Sequence, residues 1–250
     1  MLATALVACA AAGNRGKFVH VEGHNLIKPD GTQLYIQGTN LGNWLNPEGY
    51  MLGLSRTNSA WMIDLMIKEA VGPDFAADFW RLFKDNYITR EDIAFIKQQG
   101  ANTIRLPFNY KLFTDEDYMG LTHGQDGFAR IDSVVTWCRD NGLYLILDMH
   151  DCPGGQTGDN IDDGHGYPWL FESETSQKLF CDIWQKIAAR YKEEPVILGY
   201  ELANEPIAHY FENKEELNKK LEPLYMRAVK AIREKRCQPH NIIGRRPLEF

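Results

Sequence analysis

Four short polar segments each follow an apolar run in this sequence, and their side chains suit acid–base chemistry and the binding of hydroxyl groups. The segments are 38–44 (GTNLGNW), 105–110 (RLPFNY), 148–151 (DMHD) and 203–206 (ANEP). A glutamic acid can protonate a leaving oxygen when its surroundings favour the neutral form. Packing would explain one such segment, but four in succession predict a single site built from several strand ends.

The elements that carry these segments alternate along the chain. Helices are predicted between strands that begin near residues 34, 103, 143, 196 and 241. The runs LYLILDM and VILGY are almost continuously apolar, which favours parallel strands covered on both faces. Thr89 and Asp92 form a capping pattern and Gly100 the matching stop, so a helix is expected between them.

This alternation predicts an α/β fold of the (β/α)8 TIM-barrel type, of which the chain would hold the first four to five units. An open doubly wound sheet is the alternative. The first βα turn lacks the GxGxxG pattern that would support a nucleotide-binding fold of that kind. In a barrel the carboxyl ends of the strands meet at one rim, so the polar segments are expected to converge there.

The segments GTNLGNWL, GANTIRLPFNY, LYLILDMHD and ILGYELANEP resemble the successive strand ends of glycoside hydrolase family 5, the cellulase family. The resemblance covers about residues 17 to 243 in the family's order, and the tripeptide 204–206 (NEP) is its most specific part. Within the family, the chain is most similar to the exo-glucanase-like branch. The resemblance implies a retaining hydrolase of β-linked glucan or a related plant polysaccharide, without a metal or an organic cofactor.

The resemblance also implies roles for individual residues. Glu205 corresponds to the general acid/base, and Asn204 to the side chain that binds the 2-hydroxyl group of the sugar being cleaved. Arg105 corresponds to the arginine that orders the carboxylates beneath the sugar, and His150 to a histidine that lines the same subsite. Weaker candidates for sugar contacts are Asn43, Trp44 and Trp169.

The residues themselves support part of this assignment and leave part of it open. On an extended strand Glu201 and Glu205 share one face, so Glu201 is expected to point into the barrel below Glu205. A carboxylate buried there needs a cation such as Arg105, which is therefore expected to be structural as much as functional. A tryptophan such as Trp44 is as compatible with the core as with a sugar platform.

The stretch Gln156–Gly166 is rich in aspartate and glycine. Asp159, Asp162 and Asp163 suggest calcium, but the spacing and the closing glutamate of an EF-hand are absent. A solvated loop that shapes the substrate site is therefore predicted, and no metal ligand is assigned.

The composition argues against other classes of partner. The net charge of −7 is unfavourable for a phosphate backbone, so no nucleic acid is expected. The five cysteines show no CxxC pair and no metal spacing with histidine, so neither a zinc site nor a disulfide framework is predicted.

The first residues resemble a bacterial lipoprotein signal. Residues 1–12 (MLATALVACAAA) form a short apolar run in which the segment 6–9 (LVAC) resembles a lipidation box, although the basic part of a signal is absent. We expect residues 1–16 to be a shortened signal with a spacer. The protein is then extracytoplasmic, either anchored to a membrane through lipidated Cys9 or secreted.

The last residues break the pattern of the chain. The fifth strand, near residue 241, leads into the basic, proline-bearing stretch 244–250, which is expected to be non-native, so that 17–243 would be the barrel domain. In the family the nucleophile is a glutamate at the end of the seventh strand. That residue is therefore expected to be missing from this chain.

Two hypotheses follow from the missing carboxyl. The chain is either an incomplete copy of a β-glycan hydrolase, inactive by itself, or a catalytically inactive sugar-binding remnant of the same fold. An open half barrel would expose strand edges in either case, so the chain is also expected to self-associate.

Overall fold

The computed structural model describes residues 15–120, 123–159, 161–163, 165–207, 211–235 and 241–243. The predicted signal with Cys9 and the predicted tail 244–250 lie outside these residues. Within the described residues, no helix is both long enough and apolar enough to cross a membrane.

Among the described residues, the centre of the fold is a parallel sheet of five strands, preceded by a short antiparallel hairpin. The hairpin is β1 (His20–Glu22) and β2 (Asn25–Ile27), and the sheet is β3 (Gly38–Asn40), β4 (Thr103–Asn109), β5 (Tyr144–Asp151), β6 (Ile197–Glu201) and β7 (Asn241–Ile243). The five strands lie side by side in chain order. A doubly wound sheet reverses its order at a switch point and a barrel wall does not, so the prediction of a TIM-barrel type is confirmed.

Six α-helices lie among the described residues, and their order confirms the predicted alternation. They are α1 (Ala60–Val71), α2 (Pro73–Asn86), α3 (Arg90–Gln98), α4 (Asp126–Asn141), α5 (Glu174–Arg190) and α6 (Lys214–Lys235). Helix α3 begins at the predicted cap, where the Asp92 carboxylate accepts a hydrogen bond from the Thr89 N–H at 2.8 Å. Gly100 follows the end of α3 with φ 93°, as a stop glycine does.

The main core lies between the sheet and the helices. One apolar face of α5 is buried, and it comprises Phe180, Ile183, Trp184, Ile187, Ala188 and Tyr191. The Trp184 ring lies 5.9 Å from Phe108 of β4 and 5.3 Å from Tyr200 of β6, so α5 packs across the sheet. Cys138 and Cys181, on α4 and α5, are buried free thiols.

The first strand of the sheet begins later than the sequence predicts. The alternating run 34–37 indicates a strand, but β3 starts at Gly38. The prediction is wrong because Leu34 packs in a separate small cluster, with Val19, Ile146 and Leu198, and does not join the sheet.

Glycine at position 38 is required by the contact between β3 and β4. A Cβ atom on Gly38 would lie 2.0 Å from the carbonyl oxygen of Thr103, closer than any side chain allows. The pairing sets Gly38 opposite Thr103 and Asn40 opposite Arg105. The first strand is thereby fixed against the strand that carries the arginine.

Candidate active site

An arginine on β4 contacts side chains of β5, of β6 and of the segment that follows β6. Arg105 Nε lies 2.7 Å from Glu201 Oε2, and its Nη2 lies 2.8 Å from Asp148 Oδ2. The same Nη2 donates to Asn204 Oδ1 at 3.0 Å. The predicted pairing of Glu201 with Arg105 is therefore confirmed, and Asp148 pairs with the same arginine.

Burial and opposite charges compete in this cluster. Burial works to lower the pKa of Arg105, but the hydrogen bond of Glu201 and the charges of Asp148 and Glu201 raise it further, so the guanidinium stays charged. Burial raises the pKa of Asp148, against the opposing effects of His150 and Arg105. Asp148 Oδ1 and Glu201 Oε1 are buried without a hydrogen-bond partner among the described residues.

His150 extends the cluster towards the segment after β3. Its Nδ1 lies 2.6 Å from Asp148 Oδ2 and its Nε2 lies 3.3 Å from Glu48 Oε1. Burial works to lower the pKa of His150, but the carboxylates of Asp148 and Glu48 outweigh it and raise the pKa to about 9. The imidazole is therefore a cation near neutral pH, and both of its nitrogens donate.

The orientation of the Asn204 amide follows from these neighbours. Its Oδ1 accepts from Arg105, so its Nδ2 is turned towards His150, whose Nε2 lies 3.4 Å away. Two donors at this distance do not form a hydrogen bond. The amide donor of Asn204 therefore suits a hydroxyl oxygen of a ligand.

Glu205 directly follows Asn204 and is half-buried. Its φ of 41° is uncommon for a residue other than glycine, and such conformations cluster at functional sites. The charge of Glu48, burial and the charge of Glu205 together raise the pKa of Tyr50. The two carboxyls thus lie near one exposed tyrosine at the carboxyl end of the sheet.

The family model described as cellulase (glycosyl hydrolase family 5) matches residues 69–244. The chain belongs to glycosyl hydrolase family 5. A beta-xylosidase of Phanerodontia chrysosporium is 32% identical over 194 residues, which cover 77% of this chain and 40% of that enzyme. Endoglucanase C of Acetivibrio thermocellus is 36% identical over 150 residues, which cover 60% of this chain and 40% of that enzyme.

The chain spans about 40% of the length of these family 5 relatives. The fold is also that of solved structures. The crystal structure of an endogalactoceramidase superposes with a TM-score of 0.62 at 20% identity, over 92% of this chain and 53% of that chain. At this identity the likeness supports the shared fold alone.

Two residues predicted to contact sugar are part of the scaffold of this family 5 chain. Trp44 has no exposed surface, and its Nε1 donates to the Lys84 carbonyl at 2.9 Å. Asn43 is buried as well, with its Oδ1 accepting from Glu48 N–H at 3.0 Å and its Nδ2 donating to Tyr87 Oη at 3.2 Å. The chain turns into the core after β3, where Asn43 holds Glu48 in place, and this favours the core position that was the alternative for Trp44. A contact of either residue with sugar stays a prediction.

Trp169, unlike Trp44, is exposed to solvent. It lies on a short 3₁₀ turn, Trp169–Phe171, in the segment between β5 and α5. Its side chain is 51% exposed, and its ring centroid lies 4.8 Å from that of Tyr167. The position is compatible with a sugar platform, and a contact with glycan stays a prediction.

Two of the three aspartates of the segment after β5, Asp162 and Asp163, are buried, whereas Asp159 is exposed, so the prediction of a solvated loop holds only in part. Asp162 Oδ2 accepts from the N–H groups of Thr157 and Gly158 at 2.6 and 2.9 Å. Asp163 Oδ2 lies 3.0 Å from Lys111 Nζ. These carboxylates fold the segment, and within the described residues no group of His, Cys, Asp or Glu is arranged to hold a metal ion.

Two residues of the cluster, Asp148 and Glu48, were not assigned to the site from the sequence. Asp148 stands two residues before His150, so the period of a strand places both side chains on one face. That signal was sufficient to find it. Glu48 follows β3 in an irregular segment where neither the strand nor the helix period applies, so the sequence offers no comparable signal.

Two surface grooves lie away from this cluster. One, of about 450 Å³, lies between α2 and α4 around Arg81 and Arg130. The other, of about 420 Å³, lies at the amino ends of the strands around Asn102 and Leu143. Barrel enzymes build their active sites at the carboxyl ends, so neither groove is a candidate for the family 5 site.

Proposed function

We propose that this protein hydrolyses β-linked glucan or a related plant polysaccharide with retention of configuration, using Glu205 as the acid/base. The observation that carries the proposal is the position of Glu205, half-buried after β6 and next to Asn204, whose amide is oriented by Arg105. Membership of family 5 supports it. So do the relatives that are named as a beta-xylosidase and an endoglucanase.

The reaction has two steps in which Glu205 acts first as an acid and then as a base. A carboxylate nucleophile attacks the anomeric carbon, the glycosidic carbon–oxygen bond breaks, and Glu205 gives its proton to the departing oxygen. Water then attacks the same carbon, Glu205 takes its proton, and the nucleophile leaves as a carboxylate. Two inversions give net retention, and Glu205 regains its starting state.

Asn204 is assigned to the 2-hydroxyl group of the sugar being cleaved, with Nδ2 as the donor. Its Oδ1 is occupied by Arg105, so the amide cannot turn over without losing that hydrogen bond. A hydrogen bond to the 2-hydroxyl strengthens as charge develops on the sugar ring in the transition state. His150, as a cation held between Asp148 and Glu48, lines the same position.

We place the nucleophile outside these 250 residues. A retaining enzyme needs a second carboxyl about 5–5.5 Å from the first. The carboxyls of the cluster are engaged otherwise: Asp148 and Glu201 pair with Arg105, and Glu48 pairs with His150. The relatives, of which the chain spans about 40%, have ample length for a further carboxyl.

Glu205→Gln in the full gene product tests the proposal. An amide can neither give nor take the proton, so kcat on β-glucan and xylan oligosaccharides is expected to fall about 10²- to 10⁴-fold. Glu212→Gln, at an exposed carboxyl in the next segment, is the matched control and should keep wild-type activity. Undiminished hydrolysis by Glu205→Gln would refute the assignment, and a wild type that binds glycans without cleaving them would favour the sugar-binding remnant.

We also propose that the protein acts outside the cytoplasm and that Cys9 carries a lipid. The support is the resemblance of the segment 6–9 to a lipidation box. Metabolic labelling with a radioactive fatty acid tests this, since label should enter the wild type and not Cys9→Ser. A wild type that takes up no label would contradict it.

A further inference from the structure

The backbone after β6 is held by side chains. β6 ends at Glu201, and each of the next four carbonyl oxygens accepts a hydrogen bond from a side chain of another element. The pairs are Leu202 with Trp184 (3.1 Å), Ala203 with Tyr225 (3.5 Å), Asn204 with Gln156 (2.9 Å) and Glu205 with Thr157 (2.7 Å). Buried carbonyl groups need such partners, so these donors fix the path of the chain up to Glu205.

Gln156 bonds three backbone groups with one side chain. It has no exposed surface. Its Oε1 accepts from the Cys152 N–H at 3.0 Å, and its Nε2 donates to the carbonyls of His150 and Asn204 at 2.8 and 2.9 Å. The end of β5, with His150, is thereby fastened to the segment after β6, with Asn204.

Thr157 fastens Glu205 itself. Its Oγ1 donates to the Glu205 carbonyl at 2.7 Å. Its own N–H donates to Asp162 Oδ2 at 2.6 Å, which anchors the threonine within its loop. Because the donor is anchored, its hydrogen bond opposes any displacement of the Glu205 backbone.

The segment needs this support because its backbone is strained. Glu205 has φ 41° and Ile207 has φ 62°, and β-branched residues in particular avoid this region. Such conformations persist only where the surrounding contacts over-determine them. Here Thr157 holds the carbonyl of Glu205, and the carbonyl of Gln156 accepts from the Ile207 N–H at 2.8 Å.

We propose that Gln156 and Thr157 are positioning residues, which set the place of the Glu205 carboxyl relative to Asn204 and His150. The inference rests on the proposed role of Glu205 as the acid/base. A general acid acts only within hydrogen-bonding distance of the leaving oxygen. A displacement of about 1 Å therefore lowers the rate steeply, even where the carboxyl itself is intact.

Thr157→Val tests the inference, because valine has the shape of threonine without the donor. In the full gene product, kcat/KM for glycosides with a sugar or alkyl leaving group is expected to fall roughly 10- to 100-fold. The value for a 2,4-dinitrophenyl glycoside, whose leaving group needs no proton, should stay at the wild-type level. Thr157→Ser keeps the hydroxyl and should match the wild type on both classes of substrate.

Two further variants make the test specific. Thr136→Val is the matched control, since the exposed Thr136 hydroxyl donates to the Asp132 carbonyl at 2.9 Å on α4, away from the site. It should match the wild type on both substrates. Gln156→Asn retains the amide but is one methylene too short to reach its partners, and it should show the same selective loss as Thr157→Val.

A fall that is equal for both substrates, or no fall on either, would overturn the positioning role. Circular dichroism melts identify a variant that does not fold. If Thr157→Val does not fold, the test of the positioning role rests on Gln156→Asn. Glu205→Ala separates the two proposals. If the loss of rate in Glu205→Ala does not depend on the leaving group, the acid/base assignment fails. If it does depend on the leaving group, but the losses in Thr157→Val and Gln156→Asn do not, the positioning role alone fails.

Discussion

At the residue scale, charges of opposite sign alternate along a line of five side chains: Glu201, Arg105, Asp148, His150 and Glu48. Each inner member lies between partners of opposite charge, and their attraction offsets the cost of taking the charges out of water. Loss of Arg105 leaves Glu201 buried without its ion-pair partner and leaves Asp148 with His150 alone. The line also joins the end of β6 to the segment after β3, so the site is held from two sides.

Arg105→Leu should lower the free energy of unfolding by about 3–5 kcal/mol, because Asp148 and Glu201 lose their shared partner in a buried position. Chemical denaturation followed by circular dichroism measures the change. Arg81→Leu is the matched control, since Arg81 makes an exposed pair with Asp78 and its loss should change stability by less than about 0.5 kcal/mol. Equal effects of the two variants would contradict the account of the cluster.

His150 should make the stability of the protein depend on pH above neutrality. Its pKa is about 9 in the folded protein against an ordinary value of 6.5. A raised pKa stabilises the fold fully below about pH 6.5, and the stabilisation is lost as the pH rises through about 9. The loss attributable to His150 is on the order of 3 kcal/mol.

Unfolding measured between about pH 6 and 10 checks this dependence. His150→Gln should flatten the decline, because the residue that releases a proton is gone. His24→Gln, at an exposed histidine in the turn after β1, should keep the wild-type profile. A decline that persists unchanged in His150→Gln would show that another group is responsible.

At the scale of the elements, the sequence predicts what local signals determine. The cap at Thr89 and the stop at Gly100 delimit α3, and the apolar stripe of α5 identifies its buried face. The continuous apolar runs of β5 and β6 follow from burial on both faces. Since these strands are parallel neighbours, their polar ends are brought together by the fold, as expected.

The segments between the elements are where prediction from the sequence fails, for a physical reason. Burial of Asn43 and Trp44 depends on contacts with Lys84 of α2 and with Tyr87, which directly follows α2, some forty residues away, and no local period reports such contacts. Burial of Asp162 depends on a loop that folds upon its own backbone donors. Composition alone made that loop look solvated.

Trp169, on the turn between β5 and α5, should contribute to glycan binding. Trp169→Ala is expected to raise KM for glycan oligosaccharides about three- to tenfold, the loss of one aromatic stacking contact of about 0.5–1.5 kcal/mol. The free energy of unfolding should fall less than for a fully buried tryptophan, because half of the side chain is exposed. Tyr35→Ala, which removes an exposed aromatic ring before β3, is the matched control, and an unchanged KM in Trp169→Ala would contradict the platform.

At the scale of the whole molecule, the five parallel strands that the structure describes lie in chain order, which places their carboxyl ends on one rim. This topology brings Arg105, Asp148 and Glu205 together although they come from three different strands or strand ends. The chain spans about 40% of the length of its family 5 relatives, so activity has to be measured on the full gene product. In the proposed mechanism, this chain supplies the acid/base and the sugar-binding groups.

The most direct test of Glu205 as the acid/base is the stereochemistry of azide rescue in Glu205→Ala. Without its acid/base the enzyme should still form the glycosyl intermediate from a 2,4-dinitrophenyl β-glycoside, and azide, which needs no base, should release it faster than water does. Nuclear magnetic resonance should then identify the β-glycosyl azide as the product. The α-glycosyl azide, or no rescue by azide, would contradict the assignment of Glu205.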